Sequence, residues 1–391
     1  MAQSKITDSP TFCPAPWTSL NIDKTGQVSP CFHSYDSVGT IRDTPIQKII
    51  HGPVLTSMRD HMARGEWHTG CRRCKQLEEI TGVSGRTERY ASKKTLSAIE
   101  NDPTNYFELQ HIVINWSNLC NLTCTYCNPE TSTAWQSIKG IPINHVKNEH
   151  PDLIELARTQ GHTVIGLSLG GGEPLLQKGL LDFLRCLVPK QVHVLVTTNL
   201  SIDITNNPIY NELRTWPRVE WQISFDNADK NKFEYVRHGA EWETFVTNIR
   251  IMKQHKQRVV AHPAYSIYCA LELMQYYEFC VAEQLDLFWC ELYHPWDLDT
   301  RRYPVTIRQK AIDEIDRVIQ QYGQLKNLAI DTLKQYRMTL VDNSYLLNNE
   351  YNQSRSIMYK IQPLEFHRIK EKELKKSRTF VELWPEIANQ L

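Results

Sequence analysis

From Ile112 onward, short apolar runs alternate with segments of helical spacing. The runs "HIVIN" (111–115), "VIGLSL" (164–169), "VHVLVTT" (192–198), "VEWQISF" (219–225), "VVAHPAYSIY" (259–268) and "LDLFWCELY" (285–293) read as strands. Between them lie stretches such as "KGLLDFLRCLV" and "EWETFVTNIRIMKQH". In the latter, Trp242, Phe245, Ile249 and Met252 recur three or four residues apart, as one buried helical face requires. Strands apolar on both faces, alternating with helices, imply a parallel sheet with helical crossovers. Six such units over residues 105–300 predict an α/β fold, a partial (β/α)6 TIM-like barrel. Pattern alone leaves an eight-unit barrel or a doubly wound sheet open. In each case the ligand belongs at the C-terminal ends of the strands.

The flanks differ. Residues 1–95 are rich in Pro, Gly, Ser and Thr, with only short apolar runs such as "IQKIIHGPVL". So little core material calls for another staple, and the segment holds Cys13, Cys31, Cys71 and Cys74. It reads as a small cysteine-rich module, with Cys13 and Cys31 at either end of a hairpin that turns at "KTG". Residues 301–391 read as a helical C-terminal extension. Its basic stretch "HRIKEKELKKSR" reads as a solvated helix face.

Composition narrows the class. The 391 residues carry 44 Lys plus Arg and 44 Asp plus Glu, so nothing suggests a general attraction to nucleic acid or an acidic membrane. Hydrophobic content of 41% with 23% charged residues fits a folded globular chain. The opening "MAQSKITDSP" leads into no signal-like apolar run, and no uninterrupted apolar stretch is long enough for a membrane span. The expectation is a cytoplasmic protein. Its eleven cysteines then favour metal ligation over disulfides.

The sharpest chemical signal is "CNLTCTYC", directly after the first strand of the repeating pattern, with Cys120, Cys124 and Cys127 in eight residues. Closely spaced thiolates suit an iron–sulfur cubane, in which each iron takes one sulfur ligand. Three thiols leave one iron open to a small molecule. Structural zinc would need a distant fourth ligand, with His111 and His145 as candidates. Unliganded buried thiols are the remaining reading.

The spacing C-x3-C-x2-C, with Tyr126 before the last cysteine, resembles the radical S-adenosylmethionine (SAM) enzymes. In that family the open iron of a [4Fe–4S] cluster chelates SAM, reductive cleavage gives a 5′-deoxyadenosyl radical, and the radical takes hydrogen from substrate. "LGGGEP" resembles the family's GGEP turn at Gly171, Gly172, Glu173 and Pro174. The resemblance implies that Glu173 accepts from the cofactor's ammonium group. "TTNL" resembles its TNG at Thr198 and Asn199, with Leu200 replacing the glycine. Ser224 and Asp226 stand where members place polar groups facing the ribose, "YVRHG" resembles the continuation that carries Arg237, and Tyr126 is expected near the adenine. A helix N-cap for Asp226 and a surface ion pair for Arg237 remain the plain alternatives.

The N-terminal "CPAPW…G.V.PC" and C-x2-C resemble the auxiliary-cluster modules called twitch and SPASM, here placed ahead of the barrel. That implies a second, fully ligated [4Fe–4S] cluster on Cys13, Cys31, Cys71 and Cys74, with structural zinc as the alternative. Arg86 is a candidate to meet a carboxylate of substrate or cofactor. Cys186, Cys269, Cys280 and Cys290 sit in apolar runs and read as small buried hydrophobes. The resemblance implies oxidative modification of a peptide or amino-acid-containing substrate. It also implies an external electron donor such as flavodoxin or ferredoxin. A radical reaction on a small molecule, a nucleotide or sugar derivative, is the alternative, and a non-enzymatic metal-binding adaptor the third.

Overall fold

A computed structural model describes residues 5–34, 36–89, 91–143, 151–290, 292, 295–342 and 363–391. His145 lies outside the described residues. Two compact units divide the chain: Met1–Leu119 with Asn144–Val196 and Asn207–Val219, and Cys120–Ile143 with Thr197–Asn206 and Glu220–Leu391.

In the first unit, β1 (Ser19–Ile22), β2 (Gln27–Ser29) and β3 (Gly39–Thr40) form an antiparallel meander, and β4 (His111–Asn115), β5 (Gly166–Gly170) and β6 (His193–Thr198) follow in parallel. Their order is β3-β2-β1-β4-β5-β6. The expected hairpin is present, shorter than its flanking cysteines. Its turn runs over Asp23–Gly26, where the Asp23 carboxylate accepts from the Thr25 amide at 2.7 Å and Gly26 has φ +81°. β1 pairs in parallel with β4, Leu20 opposite Ile112, so the cysteine-rich segment extends the same sheet. Ile112, Ile114, Leu167, Leu169, Val194 and Val196 are fully buried, while the alternate residues of these strands are half-buried or exposed. The strands thus alternate, where the sequence pattern predicts two apolar faces. Arg59, 1% exposed, fastens the helix Pro53–Ala63 to the carbonyls of Pro16 (2.8 Å) and Thr104 (2.9 Å).

The second unit carries β7 (Val219–Ile223), which begins at the unit boundary, β8 (Arg258–Ala261) and β9 (Asp286–Leu287), parallel in that order. β4 to β9 run in chain order with helices between them, the six β/α units expected of a partial (β/α)6 barrel. The helix Trp242–Gln254 buries Phe245, Ile249 and Met252, with Trp242 half-buried at its start. The last two strands are far shorter than the apolar runs at 259–268 and 285–293. Pro263 cannot donate to a ladder, and beyond it one bridge, Ala264 to Cys290, continues the pairing. The helices Val305–Tyr322, Ile330–Val341, Pro363–Leu374, Phe380–Leu383 and Pro385–Ala388 complete this unit. Phe380, Trp384 and Ile387 pack with Tyr235, Val236 and Tyr268 in one apolar cluster. Among the described residues no helix is long and apolar enough to cross a membrane.

Candidate functional site

The three-cysteine loop has its backbone groups held one by one. Thr123 N–H donates to the His238 carbonyl at 3.0 Å and Thr125 N–H to Val236 at 2.9 Å. Ser132 Oγ donates to the Leu122 carbonyl at 2.7 Å, and Trp135 Nε1 to that of Cys124 at 3.0 Å. An irregular loop is thereby rigid without regular structure, since its polar groups are paired. Cys124 is buried, and Cys120 and Cys127 are half-buried. The thiols of Cys124 and Cys127 hydrogen-bond each other. That bond, with burial, pushes Cys124 up, and the same bond pulls Cys127 down. Three cysteines within eight residues are a donor set that fits an iron–sulfur cluster, whose metal would displace the thiol protons.

Asn199 reaches this loop, its Nδ2 lying 3.7 Å from Cys120 Sγ and 3.2 Å from Asn121 Oδ1. The next residue, Leu200, has φ +51° and is fully buried. The chain keeps a left-handed turn where the related motif has glycine, and spends the side chain on packing. Tyr126, Asp226 and Arg237 also come together. The Tyr126 hydroxyl donates to Asp226 Oδ2 at 3.2 Å, Arg237 Nη2 meets the same oxygen at 2.9 Å, and the guanidinium lies 5.6 Å from the Tyr126 ring centre. Neither plain alternative holds: Asp229 is the cap of the helix Lys230–Val236, and the Asp226–Arg237 pair is buried. Ser224 is half-buried, and its amide donates to the Thr198 carbonyl at 2.9 Å.

Gly171, Gly172 and Glu173 belong to the first unit, after β5. Gly172 and Glu173 amides donate to the carbonyls of Ser117 (2.9 Å) and Leu119 (2.8 Å). Gly171 has φ +110°, and a Cβ on Gly172 would stand 2.3 Å from the Leu119 carbonyl oxygen. The turn is therefore docked on the three residues that lead into Cys120, at a distance only glycine allows. Glu173 is fully buried, and one carboxylate oxygen accepts from the Leu175 amide at 3.0 Å.

Also in the first unit, Cys13, Cys31, Cys71 and Cys74 line one cavity of about 480 Å³, its open mouth included. Cys71 sits at the N-cap of the helix Arg72–Thr81 and Cys74 one turn inside it, which puts both on one side. Burial pushes the Cys13 thiol up to about 11, against the pull of Arg89. Burial, then its three sulfur neighbours, pushes Cys71 up to about 12. Bound metal would have to displace these protons, and Arg89, which lowers both Cys13 and Cys31, favours that exchange. A single zinc ion draws four thiolates to about 2.3 Å. Here Cys13, Cys31, Cys71 and Cys74 line one common cavity. Four cysteines supply one sulfur ligand for each iron of a cubane, so the donor set fits a cluster. Arg86 also lines the cavity, bound to Glu78 (2.9 Å) and the Phe12 carbonyl (2.9 Å). Of the remaining cysteines, Cys269 and Cys280 are buried and Cys186 and Cys290 half-buried.

The basic stretch 367–378 departs from the expected solvated face. His367 is buried and stacked on Phe380, and Lys376 binds the Tyr235 carbonyl and lies 3.5 Å from that ring. Lys370 Nζ donates to the Cys127 carbonyl at 3.2 Å. Sequence reasoning missed Trp135, His238 and Lys370. His238 lies within the quoted "YVRHG", whereas Lys370 carries no local signal.

A family model for the radical SAM superfamily matches residues 114–266, and one for the SPASM iron–sulfur cluster-binding domain matches residues 13–75. A GTP 3′,8-cyclase from Peptoclostridium acidaminophilum is 28% identical over 151 residues, 36% of this chain and 42% of that protein. A 7-carboxy-7-deazaguanine synthase from Clostridium acetobutylicum is 25% identical over 142 residues, 36% of this chain and 54% of that protein. The matched region thus spans about half or less of these relatives. The crystal structure of Streptococcus suis SuiB aligns with 79% of this chain and 70% of its own, at TM-score 0.42 and 13% identity.

Proposed function

We propose that this chain, which belongs to the radical SAM superfamily and carries a SPASM iron–sulfur module, catalyses a net two-electron oxidation of its substrate. The substrate class proposed is a peptide or an amino-acid-containing molecule. When bound, SAM and the cluster supply reductive carbon–sulfur cleavage and hydrogen abstraction, and the second cluster a one-electron exit. The observation that carries the oxidation is the N-terminal cavity, which Cys13, Cys31, Cys71 and Cys74 all line. A cluster with all four positions filled by protein has none left for substrate and suits electron transfer.

The chain's own residues then bind and orient. Cys120, Cys124 and Cys127 hold the catalytic cluster on a loop whose backbone is already paired. Gly171 and Gly172 bring backbone close to the methionine end, and Glu173 receives its ammonium group. Tyr126 and Asn199, with Ser224, Asp226 and Arg237, face the adenosine. The fixed Tyr126–Asp226–Arg237 geometry needs no reorganisation on binding.

A second reading, radical chemistry on a small molecule, is favoured by the identity with the cyclase and the deazaguanine synthase. One experiment separates the two. Reconstituted protein is given SAM, reductant and deuterated candidates, peptides in one set and nucleotides in the other, and 5′-deoxyadenosine is analysed by mass. Deuterium from a peptide, with a product that has lost that deuterium and one further hydrogen, supports the proposal. Deuterium from a nucleotide with no loss of two hydrogens sinks it.

A further inference from the structure

We infer that Lys370 is a positioning residue of the three-cysteine loop, and that its charge makes the cluster held there easier to reduce. The inference rests on the assignment of Cys120, Cys124 and Cys127 to that cluster.

Lys370 comes from the helix Pro363–Leu374, 243 positions beyond the carbonyl it binds. Its ammonium lies 4.0 Å from the Trp135 ring centre and 5.9 Å from that of Phe366. Trp135 in turn donates Nε1–H to the Cys124 carbonyl at 3.0 Å. One cation–aromatic pair thus grips both carbonyls of the C-x2-C turn. The same helix is tied down at two more points. Glu373 pairs with Lys139, and Glu371 accepts from the Tyr235 hydroxyl at 2.9 Å, one residue before the Val236 carbonyl that binds Thr125.

A neutral donor would serve a purely mechanical clamp. An ammonium in a half-buried place between two rings costs desolvation, and burial does lower its pKa, with Glu373 acting the other way. That cost is offset where the charge faces an electron-rich partner. A cluster on these thiolates gains one negative charge when an external flavin or iron–sulfur donor passes it one electron, with no bond or proton moved. A fixed positive charge one residue's width from a ligand favours that state, because screening is weak in a partly buried site.

The test uses the full chain, reconstituted anaerobically, as wild type, Lys370→Arg and Lys370→Gln. Iron and sulfide are counted, and the cluster signal that changes on adding SAM is followed by electron paramagnetic resonance in a redox titration. The expected result is equal iron in all three. At a fixed potential the reduced-to-oxidised ratio falls about tenfold in Lys370→Gln, about 59 mV for one electron, and Lys370→Arg restores most of it. An unchanged midpoint in Lys370→Gln overturns the inference, as does equal loss of iron in both variants. Iron lost from Lys370→Gln alone also overturns it, because the charge would then hold the cluster and not tune its reduction. A wild type whose iron–sulfur signal ignores SAM fails the cluster assignment itself, and the inference with it.

Discussion

Arg237 and Asp226 face each other at 2.9 Å with side chains 7% and 3% exposed, and the Tyr126 hydroxyl shares the same carboxylate oxygen. Breaking a buried pair from one side leaves an uncompensated charge, at a cost of about 3–5 kcal/mol. Asp226→Asn alone is expected to lower the urea midpoint accordingly. The double variant Asp226→Leu/Arg237→Met is expected to recover most of that stability. If the pair serves the cofactor, SAM affinity by calorimetry stays lost in the double variant. Restored binding would make the pair purely structural.

Leu200 takes φ +51° with its side chain fully buried. The left-handed backbone costs roughly 1–2 kcal/mol for a residue with a Cβ, while deleting a buried leucine side chain costs about 2–5 kcal/mol. Leu200→Gly is therefore expected to destabilise the protein by about 2 kcal/mol, within a range of about 0–4 kcal/mol, although glycine suits the conformation. An unchanged or higher unfolding midpoint would mean that the strain outweighs the packing.

Much of this was legible in the chain because it depends on local rules. Short apolar runs placed β4, β6 and β7, though their burial alternates where two apolar faces were expected, and Gly171 and Gly172 stand where backbone is approached too closely for any Cβ. The four N-terminal cysteines share one cavity although 61 positions separate Cys13 from Cys74, and their flanking turns made that readable. What failed was tertiary. The runs at 259–268 and 285–290 pair with each other only at Val260–Ala261 with Asp286–Leu287 and at the Ala264–Cys290 bridge, and Pro263 cuts the first ladder. Lys370 and Lys376 look like solvent-facing charges, because nothing near them in sequence records Trp135 and Tyr235, the distant rings they meet.

Lys376 gives a pH dependence. Burial brings its pKa down to about 7, with Glu371 pulling the other way, from the ordinary lysine value of 10.5. Between these values the unfolded chain binds the proton more tightly, so stability rises with pH and the loss lies on the acidic side. Comparing metal-free wild type with Lys376→Met between about pH 7 and 9, the wild type should gain roughly 1–2 kcal/mol relative to the variant. Buried thiols pull the opposite way at high pH but do so equally in both chains. Parallel urea midpoints across the range would show the lysine to be solvated.

Gly172 is the tightest point of the turn that docks before Cys120, since a Cβ there would meet a backbone oxygen at 2.3 Å. Backbone cannot yield as a flexible side chain does. Gly172→Ala should push the turn off Leu119 and misplace both Glu173 and the start of the cysteine loop. A displacement of about 1 Å can cost on the order of 10²-fold in rate, so reductive SAM cleavage is expected to slow by that order, with SAM affinity also lowered, in a chain that still folds. Wild-type affinity in Gly172→Ala would place the cofactor away from this turn.

The two cysteine sets make the most direct prediction, because they belong to separate stretches of chain. Cys13, Cys31, Cys71 and Cys74 line their cavity in the first unit, while Cys120, Cys124 and Cys127 lie on a loop of the second. Anaerobic reconstitution should give about eight irons per chain, falling to about four when Cys120, Cys124 and Cys127 are all changed to alanine. Replacing Cys71 and Cys74 should also leave about four, with SAM cleavage under dithionite preserved but substrate oxidation lost. That last split decides the role of the module. If the Cys71/Cys74 variant still oxidises substrate at the wild-type rate, the N-terminal site only braces the fold, and the electron leaves by another route. Zinc in place of iron in the Cys120/Cys124/Cys127 variant would give the same answer from the metal itself.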